Sequence, residues 1–466
     1  MTGTGVMIAG LPPPEQPESR VEGWVSQPNN RGTVDIIWTC VVTTFLCTFT
    51  ILCLNCPSRG EGFLGELRRK LLWVGIGISG PEFVLTAAVG QFIAARDSVA
   101  MFRELGVDGW TYRHAFFANM GGFELNCPDC PPFRINSKHI RWLVKRGYIS
   151  TPEVSPEELW DKSKQDTLTK AITCLQSGYV ILTCIGRSIQ GLALTTLELS
   201  TMAVVVCSIM TSICWLRKPQ DVRYPVRITM STPMAQILRE AGPIAARPYR
   251  QTPLDFVDDY TPSWSLNVHK FMGFSSGDGV RPLTRVGDSK LPRLTWKESS
   301  YLCLATLLYA SIHMAGWNFT FPSRTEQLLW RISSAFLVGT TVVFWLVESV
   351  AKGYRSGFIR NSLSRAVNLF QPSAHLALMP PTSLEEGKVP SVKEVGVPPG
   401  QENAQDERPF VPAQLPLKWE FWGIVPIAVA YAFARGYILV EALLGLRSLP
   451  ESAYLGVDWL SLIPHL

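Results

Sequence analysis

Leu71-Leu-Trp-Val-Gly75-Ile-Gly-Ile-Ser-Gly80-Pro81-Glu82-Phe-Val-Leu85-Thr-Ala-Ala-Val-Gly90-Gln-Phe-Ile-Ala-Ala95 is an apolar run with a helix breaker and a carboxylate near its middle. A hydrocarbon layer about 30 Å thick is crossed by roughly 20 apolar helical residues, so the run is long enough to span it. Six more stretches come close to that length: 33–54, 171–186, 195–215, 301–317, 332–350 and 421–444. In lipid every backbone N–H and C=O must be paired within the segment, which makes such runs helices. The reading is an all-α, polytopic membrane helix bundle of about seven transmembrane helices, or six because 171–186 and 301–317 are short or interrupted by polar residues, joined by cytosolic loops.

Composition agrees. The chain is 47% apolar and only 17% charged, where soluble domains carry about a quarter charged residues. The net charge of +5 is spread over several connections, so no dense basic stripe marks a nucleic-acid partner. Residues 1–32, rich in Pro and Gly, read as a disordered N-terminal segment without a cleavable signal peptide. The membrane domain is expected over 33–350, with polar loops at 96–168 and 217–297. Residues 371–418 hold nine prolines and almost no aromatics; too little apolar surface is available to offset chain entropy, so a disordered linker is expected. Residues 419–466 hold the last span and the tail.

With seven crossings, 96–168, 217–297 and 351–418 share a side with the N-terminus. Their many Lys and Arg residues place that side in the cytosol and the C-terminus opposite. Arg59, Arg68, Arg69 and Lys70 fall on the other side and run against the count. A helix at Ser137–Arg146 has Ile140, Leu143 and Val144 on one side and basic residues around it; it fits either a headgroup layer or packing within its own loop.

Eight cysteines lie inside apolar runs, where a thiol behaves as a small hydrophobe. Cys127 and Cys130 form the one CxxC, without the second ligand pair of a structural zinc site. It reads as a tight turn or local disulfide, weighed against metal or redox chemistry. No metal or cofactor site is expected: Walker A and H-E-x-x-H motifs are absent from the sequence.

Ionisable groups inside spans are where membrane chemistry concentrates. Glu198 in Thr195-Thr-Leu-Glu and Glu326 in Ser323-Arg-Thr-Glu read first as structural caps of their helices. Arg435, well inside the last span, reads as snorkelling to an interface. Glu82 is different. Pro81 removes a donor, so the helix breaks or kinks beside it, and broken helices line cavities or ligand sites. Glu82 then either donates a proton or satisfies a freed carbonyl. His313 is the one histidine in a span, with Trp317 one helical turn on. Glu82 and His313 are the candidate catalytic residues; Glu82, Pro81, His313 and Trp317 are the candidate ligand-binding residues.

Arg31-Gly-Thr-Val-Asp35-Ile-Ile-Trp38, the run Trp110–Phe123, and Trp160-Asp-Lys-Ser-Lys164 resemble a family of uncharacterised fungal multi-span membrane proteins. His313 with Trp317, Phe321-Pro322, Glu326, Trp330-Arg331 and the tail Val457–His465 extend the resemblance. It implies a fungal source and a membrane location, and brings no catalytic residue. Three functions fit: binding or transport of a lipophilic small molecule such as a fungal metabolite, an intramembrane acid/base isomerase or cyclase, or a membrane scaffold or receptor. The expected partners are the lipid bilayer and that small molecule.

Overall fold

The computed structural model describes residues 19–26, 31–161, 166–245, 249, 251–258, 281–282, 284–288, 294–355 and 418–459. The linker expected at 371–418 lies outside the described residues except for Lys418, which begins the last helix. Within the segment expected to be disordered, Arg20–Glu22 is a strand, β1.

Helix α1 (Thr33–Phe49) starts where Asp35 accepts the Gly32 N–H at 2.9 Å. It runs toward an extended segment ending near Cys56. Helix α2 (Phe63–Ser79) follows, then α3 (Pro81–Arg103). The run 71–95 is therefore not one spanning helix. Pro81 has no N–H and a fixed φ, which suits the first position of a new helix. Gly80 is required by close approach: a Cβ there would lie 2.6 Å from the Phe83 ring.

The two helices fold back on each other about Gly80. Trp73 and Val74 of α2 share one core cluster with Val84 and Ala88 of α3. Arg69 and Gln91 reach the same residue, Asp288: Arg69 Nη1 lies 3.9 Å from its carboxylate, and Gln91 Nε2 donates to its carbonyl at 3.0 Å. Each arm from that mouth to Gly80 is about 16 Å at 1.5 Å per residue, half of an apolar layer.

After Arg103 the chain builds a small mixed subdomain from α4 (Tyr112–Asn119), β2 (Phe123–Cys127), β3 (Cys130–Ile135), α5 (Ser137–Lys145) and α6 (Pro156–Asp161). Strand β4 (Val226–Thr229) joins it from the next long connection, pairing parallel to β2 in the order β3-β2-β4. The purely helical reading is corrected here, as is that of two separate polar loops. Phe117, Phe123, Phe133, Ile140 and Leu143 are buried together, and Phe102 stacks on Trp110 at 4.0 Å. The apolar face of α5 is spent in this core, which leaves nothing for a headgroup layer. Buried Glu124 of β2 pairs with Arg59 and Arg227, tying three segments together.

Helix α7 (Asp166–Ile189) returns to the opposite end of the bundle, and α8 (Thr196–Cys214) comes back beside α3. At the subdomain end Trp215 Nε1 donates to Gln91 Oε1 at 3.0 Å. Lys218 is fully buried and donates to Gln91 Oε1 at 2.7 Å, Asn55 Oδ1 at 3.3 Å and the Cys53 carbonyl; burial pushes its ammonium below the usual lysine range. The short helix α9 (Met234–Ala241) follows β4.

Helix α10 (Trp296–Ile312) ends early, and a 3-10 segment, His313–Asn318, carries the chain onward. The expected span 301–317 is thus two kinds of helix. Helix α11 (Arg324–Arg355) and helix α12 (Lys418–Leu444) complete the bundle, with Pro426 inside α12. Among the described residues, five helical segments are long and apolar enough to cross a membrane: 81–103, 171–189, 196–214, 324–350 and 425–447.

Strand β5 (Ser448–Pro450) pairs antiparallel with β1, Val21 opposite Leu449. Arg187, fully buried, donates to the carbonyls of Ala193, Ser452, Ala453 and Leu455. The segments next to both termini therefore lie at one end of the bundle and the mixed subdomain at the other. The β1–β5 pairing runs against the expectation that seven crossings separate the two terminal segments. A Val21→Cys/Leu449→Cys variant should form an intramolecular disulfide, read as a cross-linked peptide pair in the mass spectrum of the oxidised, full-length protein.

Candidate functional site

Breaking a helix at Gly80 leaves the last carbonyls of α2 without intrahelical donors. In an apolar surrounding such unpaired groups cost about 1–3 kcal/mol each. Arg435 of α12 meets this demand. Its Nε donates to the Ser79 carbonyl at 2.8 Å and its Nη2 to the Ile78 carbonyl at 3.4 Å. The guanidinium also complements the negative end of the α2 dipole. Arg435 is 2% exposed; it is a buried cap of the hairpin apex, and the snorkelling reading is corrected.

The third guanidinium nitrogen, Nη1, donates to His313 Nε2 at 2.8 Å. Arginine has no acceptor and stays protonated, so this bond fixes the tautomer: Nε2 accepts and Nδ1 carries the ring proton. His313 is fully buried at the junction of α10 and the 3-10 segment, and Trp330 Nε1 donates to its carbonyl at 3.2 Å. Tyr309, one turn earlier, turns its ring to the guanidinium, 5.3 Å from Cζ to centroid, a cation–π contact.

Glu82 sits in the first turn of α3, where the positive end of that helix favours a carboxylate. Thr86 Oγ1 donates to its carbonyl at 2.7 Å. Its carboxyl is close enough to Arg435 and Tyr309 to interact with both, yet forms no ion pair within 4 Å. Glu82 Oε2, Tyr309 Oη, His313 Nδ1 and Tyr431 Oη are buried without a well-formed hydrogen bond, although the Glu82 carboxyl and Tyr309 hydroxyl lie close enough to interact, as does His313 with the backbone of Tyr309 and Ala310. Tyr431 stands one turn before Arg435 with its ring edge-on to Phe83, centroids 6.1 Å apart. Incompletely paired polar groups on Glu82, Tyr309 and His313 thus lie beside one satisfied guanidinium, with Tyr431 one turn away on the same helix as Arg435.

The structure brings Glu82, Pro81 and His313 to the same apex and turns Trp317 away. Trp317 is 38% exposed, stacks with Arg331 and accepts from it through its carbonyl at 2.9 Å. A spacing of four residues aligns side chains on an α-helix but not on a 3-10 helix of three residues per turn. Trp330 takes the place beside His313, packed so closely on Gly316 that a Cβ there would lie 2.8 Å from its ring nitrogen. Sequence reasoning missed Arg435, Tyr309 and Tyr431. The available signal was complementary need: a broken helix with free carbonyls, and a lone arginine deep in another apolar run.

Glu198 accepts the Thr195 N–H at 2.9 Å while Thr195 Oγ1 accepts the Glu198 N–H at 3.1 Å, and Arg31 pairs with the carboxylate. Glu326 accepts the Ser323 N–H at 3.1 Å and pairs with Arg447. Both lie at the terminal end of the bundle, away from the apex.

The chain belongs to a family of unknown function, DUF8562, whose model matches residues 7–240. That match includes the hairpin and Glu82 but stops before Tyr309, His313 and Arg435. No protein of curated function and no solved structure matches the chain.

Arg435→Met should destabilise the protein by about 2–5 kcal/mol, since it strands two carbonyls and the His313 acceptor. Arg435→Lys, a single ammonium without the planar fork, should recover part of the loss. Thermal unfolding of the detergent-solubilised protein measures both.

Proposed function

We propose that this member of the DUF8562 family is a multi-pass membrane protein that binds a lipophilic small molecule at the apex of a helical hairpin penetrating half the bilayer. Apolar helices with outward Leu175, Leu182, Leu304 and Phe433 support the membrane setting. Six crossings are formed by α1, α7, α8, α10 with its 3-10 extension, α11 and α12. The pair α2–α3 enters and leaves on the subdomain side.

This count changes the charge argument. Arg59, Arg68, Arg69 and Lys70 now share a side with the basic subdomain and its connections, and the exception disappears. The rule that places Lys and Arg in the cytosol then puts the subdomain there and the β1–β5 end across the membrane, the reverse of the orientation that seven crossings favour. An epitope tag before residue 19, in sealed vesicles with the cytosolic face outward, should resist protease. Digestion of the tag without detergent overturns the orientation.

The observation that supports the binding function is the set of incompletely paired buried polar groups at the apex. Buried polar groups in native proteins are almost always paired, and those left over point to a water or ligand. Glu82 Oε2, Tyr309 Oη, Tyr431 Oη and His313 Nδ1 suit a molecule with a hydroxyl or carbonyl group, since between them they offer both donors and acceptors. An acid/base enzyme is less well supported: the only basic nitrogen of neutral His313 is engaged by Arg435. Mass spectrometry of small molecules extracted from purified protein should show a species enriched with the wild type and reduced at least several-fold by Glu82→Gln or Tyr309→Phe. Equal recovery from all three overturns the proposal, and metabolite profiling of a deletion strain gives the compound class.

A further inference from the structure

A second chemically equipped site lies at the tip of the β2–β3 hairpin, independent of the apex and of any ligand there. Cys127 is the last residue of β2 and Cys130 the first of β3, and their Cα atoms are register partners across the strands. Pro128 and Asp129 form the turn between them. The two Sγ atoms stand 2.7 Å apart. Cys127 is buried and Cys130 half-buried, so one thiol is open to a reagent and the other stands behind it.

Asp129 is committed elsewhere. Its Oδ1 accepts the Met234 N–H at 2.7 Å and its Oδ2 the Ala235 N–H at 2.8 Å, which caps the N-terminus of α9 from the neighbouring connection. Those bonds hold its carboxyl below the usual range. Among the described residues, Cys127, Asp129 and Cys130 form the one group placed to hold a metal. With both carboxylate oxygens engaged, two thiols remain, fewer than the four ligands of a structural zinc site. Two facing sulfurs without a third ligand suit each other.

We propose that Cys127 and Cys130 are a redox modification site that forms a reversible disulfide by exchange with a low-molecular-weight disulfide such as oxidised glutathione. The Cys130 thiolate attacks one sulfur of the reagent, forming a mixed disulfide and releasing one thiolate. Cys127, after losing its proton to solvent, attacks Cys130 Sγ and expels the second thiolate. The protein loses two electrons and two protons, and the reagent is reduced to two thiols. Burial raises both thiols above their ordinary range, as does the neighbouring Asp129 charge, so exchange is slow at neutral pH and faster in mild base. The disulfide closes the turn that presents Asp129, and so stiffens the clasp between the hairpin and α9. On the cytosolic side that the proposed orientation gives the subdomain, such a bond belongs to the transient, sensing kind.

The test uses the full-length protein in detergent, equilibrated with stepped ratios of reduced to oxidised glutathione, quenched in acid, alkylated and mapped by mass spectrometry. The peptide carrying both cysteines should lose two hydrogens and escape alkylation as the ratio becomes oxidising, and recover on reduction. In Cys127→Ser the exchange should stop at a glutathione adduct on Cys130. Amide hydrogen exchange across Met234–Ala241 should slow several-fold on oxidation in the wild type and stay unchanged in Cys127→Ser. Two alkylated thiols at the most oxidising ratio, or a persistent glutathione adduct in the wild type, overturn the proposal. A disulfide that leaves the exchange of α9 unchanged overturns the coupling.

Discussion

A helix that ends inside an apolar bundle must hand its last carbonyls to a donor, and here that donor is Arg435. The hairpin α2–α3 depends on this capping. Gly80 allows the turn and Pro81 restarts the helix, but neither pairs the oxygens of Ile78 and Ser79. The guanidinium suits the task because its donors lie in one plane and diverge, so two go to the backbone and a third to His313. Lysine carries the charge without that geometry.

The other end of the hairpin is held by a different device. At its mouth Lys218, Asn55, Gln91, Arg69 and Asp288 form a buried polar network that connects the extended segment after α1, both arms of the hairpin, the end of α8 and the connection near residue 288. The mouth is thus closed mainly by direct hydrogen bonds and ion pairs, Arg69 Nε lying 3.5 Å from the Glu61 carboxylate, whereas fewer such bonds close the apex. The asymmetry matters for function. A network whose members are all paired rigidifies, while one with open atoms is where a further molecule gains by binding.

The subdomain is coupled to the bundle through the same mouth. Helix α3 runs on past Gln91 to Arg103, where Phe102 stacks on Trp110, and the core cluster continues without interruption from Trp73 to Leu143. Strand β4 and helix α9 come from a connection that is distant in sequence and are held by β2, by the Glu124 ion pairs and by Asp129. Two long polar segments that each lack a core of their own share one core.

The sequence by itself determined the apolar runs, the break at Gly80-Pro81 and the caps at Thr195–Glu198 and Ser323–Glu326, because each follows from local chemistry: hydrophobic length, a missing N–H, a hydroxyl and a carboxylate at capping spacing. It also singled out Glu82 and His313 as polar groups in apolar surroundings. Only the tertiary structure decided that the broken run folds back rather than passing through, since a proline fixes where a helix restarts and not in which direction. Only the tertiary structure placed Arg435 at the apex, because its acceptors lie hundreds of residues away and an arginine in an apolar helix reads the same whether it snorkels or caps. The 3-10 segment turned Trp317 outward, a change of helical period that Gly316 permits but does not dictate. Strand β2 was invisible for a similar reason: Phe123, Glu124 and Leu125 are all buried, so the alternation that marks a strand is missing.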